Sequence, residues 1–164
     1  MIYAIITAAG KGTRTGLDVP KQFYIINNKP LICYTLDVFE KSPIVDKIVV
    51  VLDKEHFAYA PDYFSKYEYK KLAFFCEGGA TNELSIFNGF SCIKDFAKPN
   101  DIIIVHDGVR CLVTNEIIKD NVNTCKKYGN GITAIPCNLA MLETEDKISS
   151  LGIINRDKVV KTQT

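Results

Sequence analysis

The sequence predicts an α/β fold: three layers built on a mainly parallel sheet, with a β-hairpin arm projecting from it. Three observations point there. Short runs rich in Ile and Val alternate with segments whose apolar residues recur at helical spacing. The first of those runs empties into a glycine-bearing loop. After Pro136 the alternation stops and short extended runs flank a polar turn.

Taken in order, Ile2–Thr7 reads as a buried strand bounded by Ala-Ala-Gly. Pro30 opens a helix to Lys41, with Leu31, Tyr34, Thr35, Val38 and Phe39 along one face. Lys47–Leu52 is a second buried strand. Pro61 is placed to open a short helix reaching Lys70. Leu72–Cys76 is a third strand, closed by Gly78-Gly79, and Glu83–Phe96 a helix carrying Leu84, Phe87, Phe90 and Ile93. Ile102–Val105 is a fourth strand ending at His106-Asp107. Thr114 caps a helix through Cys125 that stops at Gly129 and Gly131. Ile132–Pro136 is a fifth strand. Met141–Thr144 and Ile148–Ile154 form the hairpin around Glu145-Asp146-Lys147.

The chain of 164 residues fits one domain, residues 1–164, with 137–156 as the arm. A formal net charge of +1 with no Lys/Arg block argues against a nucleic-acid partner, which needs a concentrated basic face. No segment has the length of a membrane span, and the N-terminus lacks a signal-peptide pattern. The six cysteines are scattered and form no C-x-x-C pair. Reduced core thiols in a cytoplasmic protein are therefore expected.

In such sheets ligands sit at the carboxyl ends of the strands. The loop Ala8-Ala9-Gly10-Lys11-Gly12-Thr13-Arg14 leaves the first strand, and Pro20-Lys21-Gln22 follows shortly after. Small side chains and glycines let backbone N–H groups approach a phosphate chain, and Arg14 and Lys21 supply cations. A glycine turn with two solvated basic residues would look the same from this loop alone. The P-loop pattern is absent. The dinucleotide fingerprint fails by one residue, because the third glycine is Gly16. Asp107, at the same sheet edge, suits a hard divalent cation, most often magnesium, or else a turn cap. His106 reads as a strand-end packing residue, and His56 is assigned no role. Arg110 adds a second cation, and Gly78–Ser85 a second glycine turn entering a helix.

Together these pieces resemble the cytidylyltransferases that activate polyol phosphates, the methylerythritol phosphate and ribitol phosphate enzymes. The resemblance covers nearly the whole chain. Ala8–Arg14 is similar to the family's A-A/G-G-x-G-x-R loop and Pro20–Phe23 to its P-K-Q motif. Gly78–Ser85 is similar to its G-G…S segment, His106–Arg110 to H-D-x-x-R, and Asn155–Thr164 to the arginine followed by Q-T-P-Q. The resemblance implies a Rossmann-like nucleotidyltransferase fold and transfer of CMP from CTP to 2-C-methyl-D-erythritol 4-phosphate or D-ribitol 5-phosphate, with Mg2+ and release of pyrophosphate. It implies Arg14 and Lys21 as catalytic residues. Ala8, Ala9, Gly10, Gly12, Gly79, Asn82, Ser85 and Asp107 would bind the nucleotide, with Asp107 also at the metal. Arg110, Arg156 and Thr164 would hold the acceptor phosphate, Arg156 reaching across a homodimer formed through the arm.

Departures from the family pattern are Asn82 where arginine is usual, Cys111 where proline is usual, and Leu139-Ala140 where Asp-Thr is usual. Ala140 has no hydroxyl for the acceptor phosphate, which implies a changed acceptor or a weakened site. Relatives continue beyond the position of Thr164, so the resemblance also implies that the family's C-terminal region is lacking. Two other readings stand beside this one: a nucleotidyltransferase using UTP or GTP, and a non-catalytic nucleotide-binding or dimerisation module. Tyr3-Ala4 and His106–Arg110 lean to the ribitol phosphate enzymes, Thr7-Ala8-Ala9 to the methylerythritol phosphate ones.

Overall fold

The computed structural model describes every residue except 11, 13–15, 17 and 164, and for Gln163 the backbone only. Strand β1 (Ile2–Ala8) leads to a 3-10 turn (Lys21–Phe23), the small ribbon β2 (Ile25–Ile26) and β3 (Lys29–Pro30), and helix α1 (Leu31–Lys41). Then come β4 (Lys47–Leu52), α2 (Lys54–Ser65), β5 (Leu72–Glu77), α3 (Asn82–Ser91), β6 (Ile102–Asp107) and α4 (Asn115–Tyr128). The last elements are β7 (Thr133–Pro136), β8 (Leu142–Glu143), β9 (Gly152–Ile153), a second 3-10 turn (Arg156–Lys158) and β10 (Val160–Gln163).

The central sheet runs β5-β4-β1-β6. Every pair in it is parallel. The two middle strands have no polar face to give to water, so both faces must be covered. Ala4, Ile6 and Ala8 of β1 and Ile48, Val50 and Leu52 of β4 pack on one side with Ile32, Leu36 and Phe39 of α1 and Phe64 of α2. Tyr3, Ile5, Val49 and Val51 pack on the other side with Cys76 and Ile93. Strand periodicity of two sorts the residues into these two cores. Each fully buried Ile or Leu contributes about 1.5–3 kcal/mol of transfer free energy, so the two middle strands dominate the stability of the sheet.

Three expectations need correction. Helix α2 starts at Lys54 and carries Pro61 inside it rather than at its start. The Asp53 carboxylate accepts from the amides of Glu55 and His56 and so opens the helix well before Pro61, and the helix ends at Ser65 rather than Lys70. Burial of Ala60 and Phe64 on either side offsets the backbone bond that the proline removes. Second, β7 does not join the central sheet. It pairs antiparallel with β10, residue Lys161 opposite Ile135. Third, Cys76 and Cys92 are disulfide-bonded, while Cys33, Cys111, Cys125 and Cys137 are free. Packing of α3 on the sheet brings their Cα atoms to 6.7 Å, within bridging range, across a separation of 16 residues that no spacing motif marks.

The arm is a hairpin as expected, with Leu142 opposite Ile153 and Glu143 opposite Gly152. Asp146 organises its tip: the carboxylate accepts from the amides of Ile148 (2.8 Å) and Ser149 (2.7 Å) and from the hydroxyls of Ser149 (2.6 Å) and Thr144 (3.1 Å). These bonds, the Ser149 hydroxyl first, hold the carboxyl far below the usual carboxylate range. No described helix is long and apolar enough to cross a membrane.

Helix α3 lies close to the sheet because it has Gly89 on its inner face. A Cβ there would stand 2.7 Å from Ile5 Cγ2 and 2.8 Å from Val51 Cγ2. Alanine normally favours a helix over glycine by about 1 kcal/mol, but here overpacking opposes it. Gly89→Ala is therefore expected to destabilise the protein by about 1–3 kcal/mol in urea unfolding; a gain in stability would show that α3 can lift off the sheet freely.

Candidate active site at the sheet rim

Three strand exits define the site. At the end of β1 the chain passes Ala8, Ala9 and Gly10. The side chain of Gln22, only 3% exposed, turns inward and donates from Nε2 to the carbonyl of Ala8 (2.6 Å) and of Gly10 (3.0 Å). A buried primary amide with two acceptors is a rigid clamp, since leaving the amide or the buried Ala8 carbonyl without a partner is costly. Gln22 thereby ties the 3-10 turn to the glycine loop, and its exposed neighbour Lys21 is carried to the exit of β1. The residue was visible in the Pro20-Lys21-Gln22 motif, but its structural role was not. Gly12 adopts φ +64°, in the left-handed region where glycine is favoured. Arg14 and Thr164 lie outside the described residues.

The second exit is β5. Gly78 donates its amide to the carbonyl of Leu52 (2.7 Å), the last residue of β4. A Cβ on Gly78 would stand 2.3 Å from Cβ of Ala9, so the two loops touch through the absence of a side chain. Ser85, buried one turn into α3, accepts from the Gly79 amide (3.1 Å) and donates to the Thr81 carbonyl (2.9 Å). Its hydroxyl holds the Gly78-Gly79 turn from the inside. Thr81 caps α3 by accepting from the Leu84 amide (3.2 Å), which leaves Asn82 exposed at the first helical position.

The third exit is β6. Register places Asp107 beside Thr7 of β1. Its Oδ2 takes the Nε–H of Arg110 at 2.8 Å, and its Oδ1 lies 3.4 Å from the Thr7 hydroxyl. The ion pair is partly exposed, at 31% for Asp107 and 44% for Arg110, so its contribution to stability is at most about 1 kcal/mol and its effect is orientation. The turn beneath is firmly held: Gly108 donates to the Thr7 carbonyl (2.8 Å), and the Thr35 hydroxyl donates to the Gly108 carbonyl (2.8 Å). His106 is buried against Phe39, and its Nε2 meets the Arg110 carbonyl at 3.0 Å. Burial keeps its pKa below the ordinary histidine value, so the neutral ring packs and bonds. That agrees with its reading as a strand-end packing residue.

Ala8, Ala9, Gly10, Gly79, Ser85, Asp107 and Arg110 thus share one carboxyl rim, with Lys21 clamped to it. Arg156 opens the exposed 3-10 turn between the arm and β10, in the part of the fold built on β7.

The sequence matches the 2-C-methyl-D-erythritol 4-phosphate cytidylyltransferase (IspD) family over residues 2–164. The chain belongs to this family. It is 34% identical to the ribitol-5-phosphate cytidylyltransferase of Lacticaseibacillus paracasei over 164 residues, covering 100% of this chain and 70% of that protein. It is 32% identical to the 2-C-methyl-D-erythritol 4-phosphate cytidylyltransferase of Clostridium acetobutylicum, covering 98% of this chain and 69% of that one. The crystal structure of 4-diphosphocytidyl-2C-methyl-D-erythritol synthase from Anaerococcus prevotii superposes with a TM-score of 0.77 at 28% identity, over 100% of this chain and 67% of that one. The named relatives are cytidylyltransferases, and the central parallel sheet flanked by helices is the fold that this IspD family shares with them.

Gln22→Ala removes both bonds of the clamp and leaves the Ala8 and Gly10 carbonyls without their buried donor. The expected cost is about 1–3 kcal/mol in chemical denaturation; a change below about 0.5 kcal/mol would mean that the loop holds its course without Gln22.

Proposed function

We propose that this chain transfers CMP from CTP to a polyol phosphate, either 2-C-methyl-D-erythritol 4-phosphate or D-ribitol 5-phosphate, and releases pyrophosphate. What supports the reading is the convergence of Ala8–Gly10, Lys21, Gly78–Ser85 and Asp107–Arg110 on one sheet rim, in a chain that matches the family over residues 2–164. An oxygen of the acceptor phosphate attacks the α-phosphorus of CTP. The bond from that phosphorus to the bridging oxygen breaks, and its electron pair leaves with pyrophosphate. The nucleophile is already an anion, so no side chain has to take a proton. Catalysis is then positioning and charge stabilisation.

In this reading Ala8, Ala9 and the Ser85-shaped Gly79 turn enclose the base, with Asn82 at the edge. Gly10 and Gly12 let backbone amides face the phosphates. Lys21, together with Arg14, neutralises the charge that grows on the α-phosphate. Arg110, Arg156 and Thr164 would hold the acceptor phosphate. Asp107 fits a magnesium ion carried by the triphosphate, since such ions take one or two protein carboxylates and fill the remaining positions with phosphate and water. Among the described residues no group of three or more His, Cys, Asp and Glu converges to form a cage of protein ligands. When bound, the ion would supply positive charge to the phosphates.

The arm, residues 137–156, is proposed to form a homodimer. It presents Leu142, Leu151, Ile153 and Ile148 to solvent, the last 93% exposed, and so much apolar surface on a short hairpin favours a cover. Arg156 would then serve the acceptor site of the partner. Placement in the cytoplasm belongs to the same proposal.

The test is pyrophosphate release with magnesium and CTP across both polyol phosphates, with UTP and GTP as controls. Turnover is expected with CTP. Lys21→Ala is expected to lower kcat about 100-fold or more while CTP affinity changes only a few-fold. CTP binding that persists without turnover on any acceptor would favour a non-catalytic module, and a response to UTP or GTP alone would favour a different donor.

A further inference from the structure

We propose that His56 is a positioning residue for Lys21, acting through an aromatic brace that links α2 to the lysine-bearing turn. The inference rests on the reading of Lys21 given above. A single 3-10 turn has little stability of its own, because its few hydrogen bonds do not offset the cost of ordering it. The turn Lys21–Phe23 must therefore be held from outside. Gln22 attaches it to β1. The other attachment is Phe23, whose ring stacks on His56 with centroids 4.1 Å apart and planes 13° from parallel. Tyr63, one and a half to two turns further along α2, closes the edge of Phe23 at 5.4 Å and 85°.

The imidazole is itself fixed. Its Nδ1 lies 2.9 Å from Oδ1 and 2.8 Å from Oδ2 of Asp53. Asp53 also accepts the amides of Glu55 (3.1 Å) and His56 (3.2 Å). One carboxylate thus caps α2 and sets the plane of the ring that Phe23 meets. Asp53 directly follows Leu52, and Leu52 is the register partner of Ala8. The turn is consequently anchored to two neighbouring strand ends, to β1 through an amide and to β4 through Asp53, His56 and Phe23. Two anchors restrain the rotation of the turn, which one anchor would permit. The main-chain position of Lys21 at the rim follows from both.

The brace makes a specific claim about kinetics. His56 bears on Lys21 through the turn that Phe23 shares with it, so its loss should look like a diluted loss of Lys21. His56→Ala is expected to lower kcat about tenfold or more, with the KM for CTP changing less than threefold. His56→Phe, which keeps a ring for Phe23 but drops the bond to Asp53, is expected to recover most of that loss. In a Lys21→Ala background His56→Ala is expected to have no further effect on turnover, because groups that act as a unit are not additive. A second readout avoids turnover altogether: bound CTP should protect Lys21 from amine acylation, followed by mass spectrometry of the peptide, and His56→Ala should reduce that protection several-fold at saturating CTP.

If Lys21→Ala abolishes turnover and CTP protects Lys21, but His56→Ala changes neither kcat nor protection, the brace is wrong and the site reading stands. The brace is equally wrong if His56→Ala and Lys21→Ala lower kcat independently. If Lys21→Ala leaves turnover intact and CTP gives Lys21 no protection, the site reading fails and takes the brace with it. Thermal midpoints of all variants, with the folded His56→Phe as reference, separate a lost brace from lost folding.

Discussion

The amide of Gln22 makes two hydrogen bonds into the carbonyls that leave β1, and the geometry of the rim depends on them. A glycine-bearing loop after a buried strand has many conformations open to it, and each exposes its peptide groups differently. A buried donor with two fixed acceptors selects one course for Ala8–Gly10. Because the donor sits beside Lys21, that selection also delivers a cation to the place where the loop turns. The same contact therefore organises both the main-chain surface and the charge. The neighbouring loops are fitted to this one by subtraction. Gly78 has no room for a Cβ against Ala9, and Gly108 has a narrow fit against Ala8.

The sheet below explains why such a rim can be built. Its two inner strands are sealed on both faces by separate cores, so their ends are positioned by packing that does not involve the loops. Polar groups then appear only where the strands run out. Thr35 of α1 reaches the Gly108 carbonyl, Ser85 of α3 reaches Gly79, and Asp53 at the head of α2 reaches His56. Helices α1 and α3 thus each bring a polar side chain to a rim loop, and Asp53 fixes the ring of His56 on α2. A site of this kind is pre-organised before a ligand arrives, and that favours electrostatic stabilisation over movement during reaction.

Most of the fold was legible because hydrophobic periodicity reports burial directly. The β1, β4, β5 and β6 strands and the α1 and α4 helices fall close to their expected places for that reason, while α3 begins as expected but ends at Ser91, short of Phe96. Misses arose where a side chain overrode the local signal. Pro61 is a helix opener by propensity, yet Asp53 caps the helix earlier and buried Phe64 holds it together. Cys76 and Cys92 carry no spacing signature, and only the docking of α3 brings them together. His56, with no motif around it in the sequence, meets Phe23 from a 3-10 turn remote along the chain while its own helix cap, Asp53, holds the ring.

The order of the motifs was enough to give the class of fold and to place Ala8–Gly10, Gly79 and Asp107 at strand exits along one sheet rim. Those are consequences of strand exits in a parallel sheet, and strand exits can be read from runs of apolar residues followed by glycine. What only the tertiary structure decided is how those residues are held: Gln22 on β1, Ser85 under its own turn, Arg110 on Asp107, and Phe23 on His56. The pairing of β7 with β10 belongs there too. Gln22 and Phe23 meet partners that are distant along the chain, and even the short-range bonds of Ser85 and Arg110 depend on directions that one-dimensional periodicity does not encode.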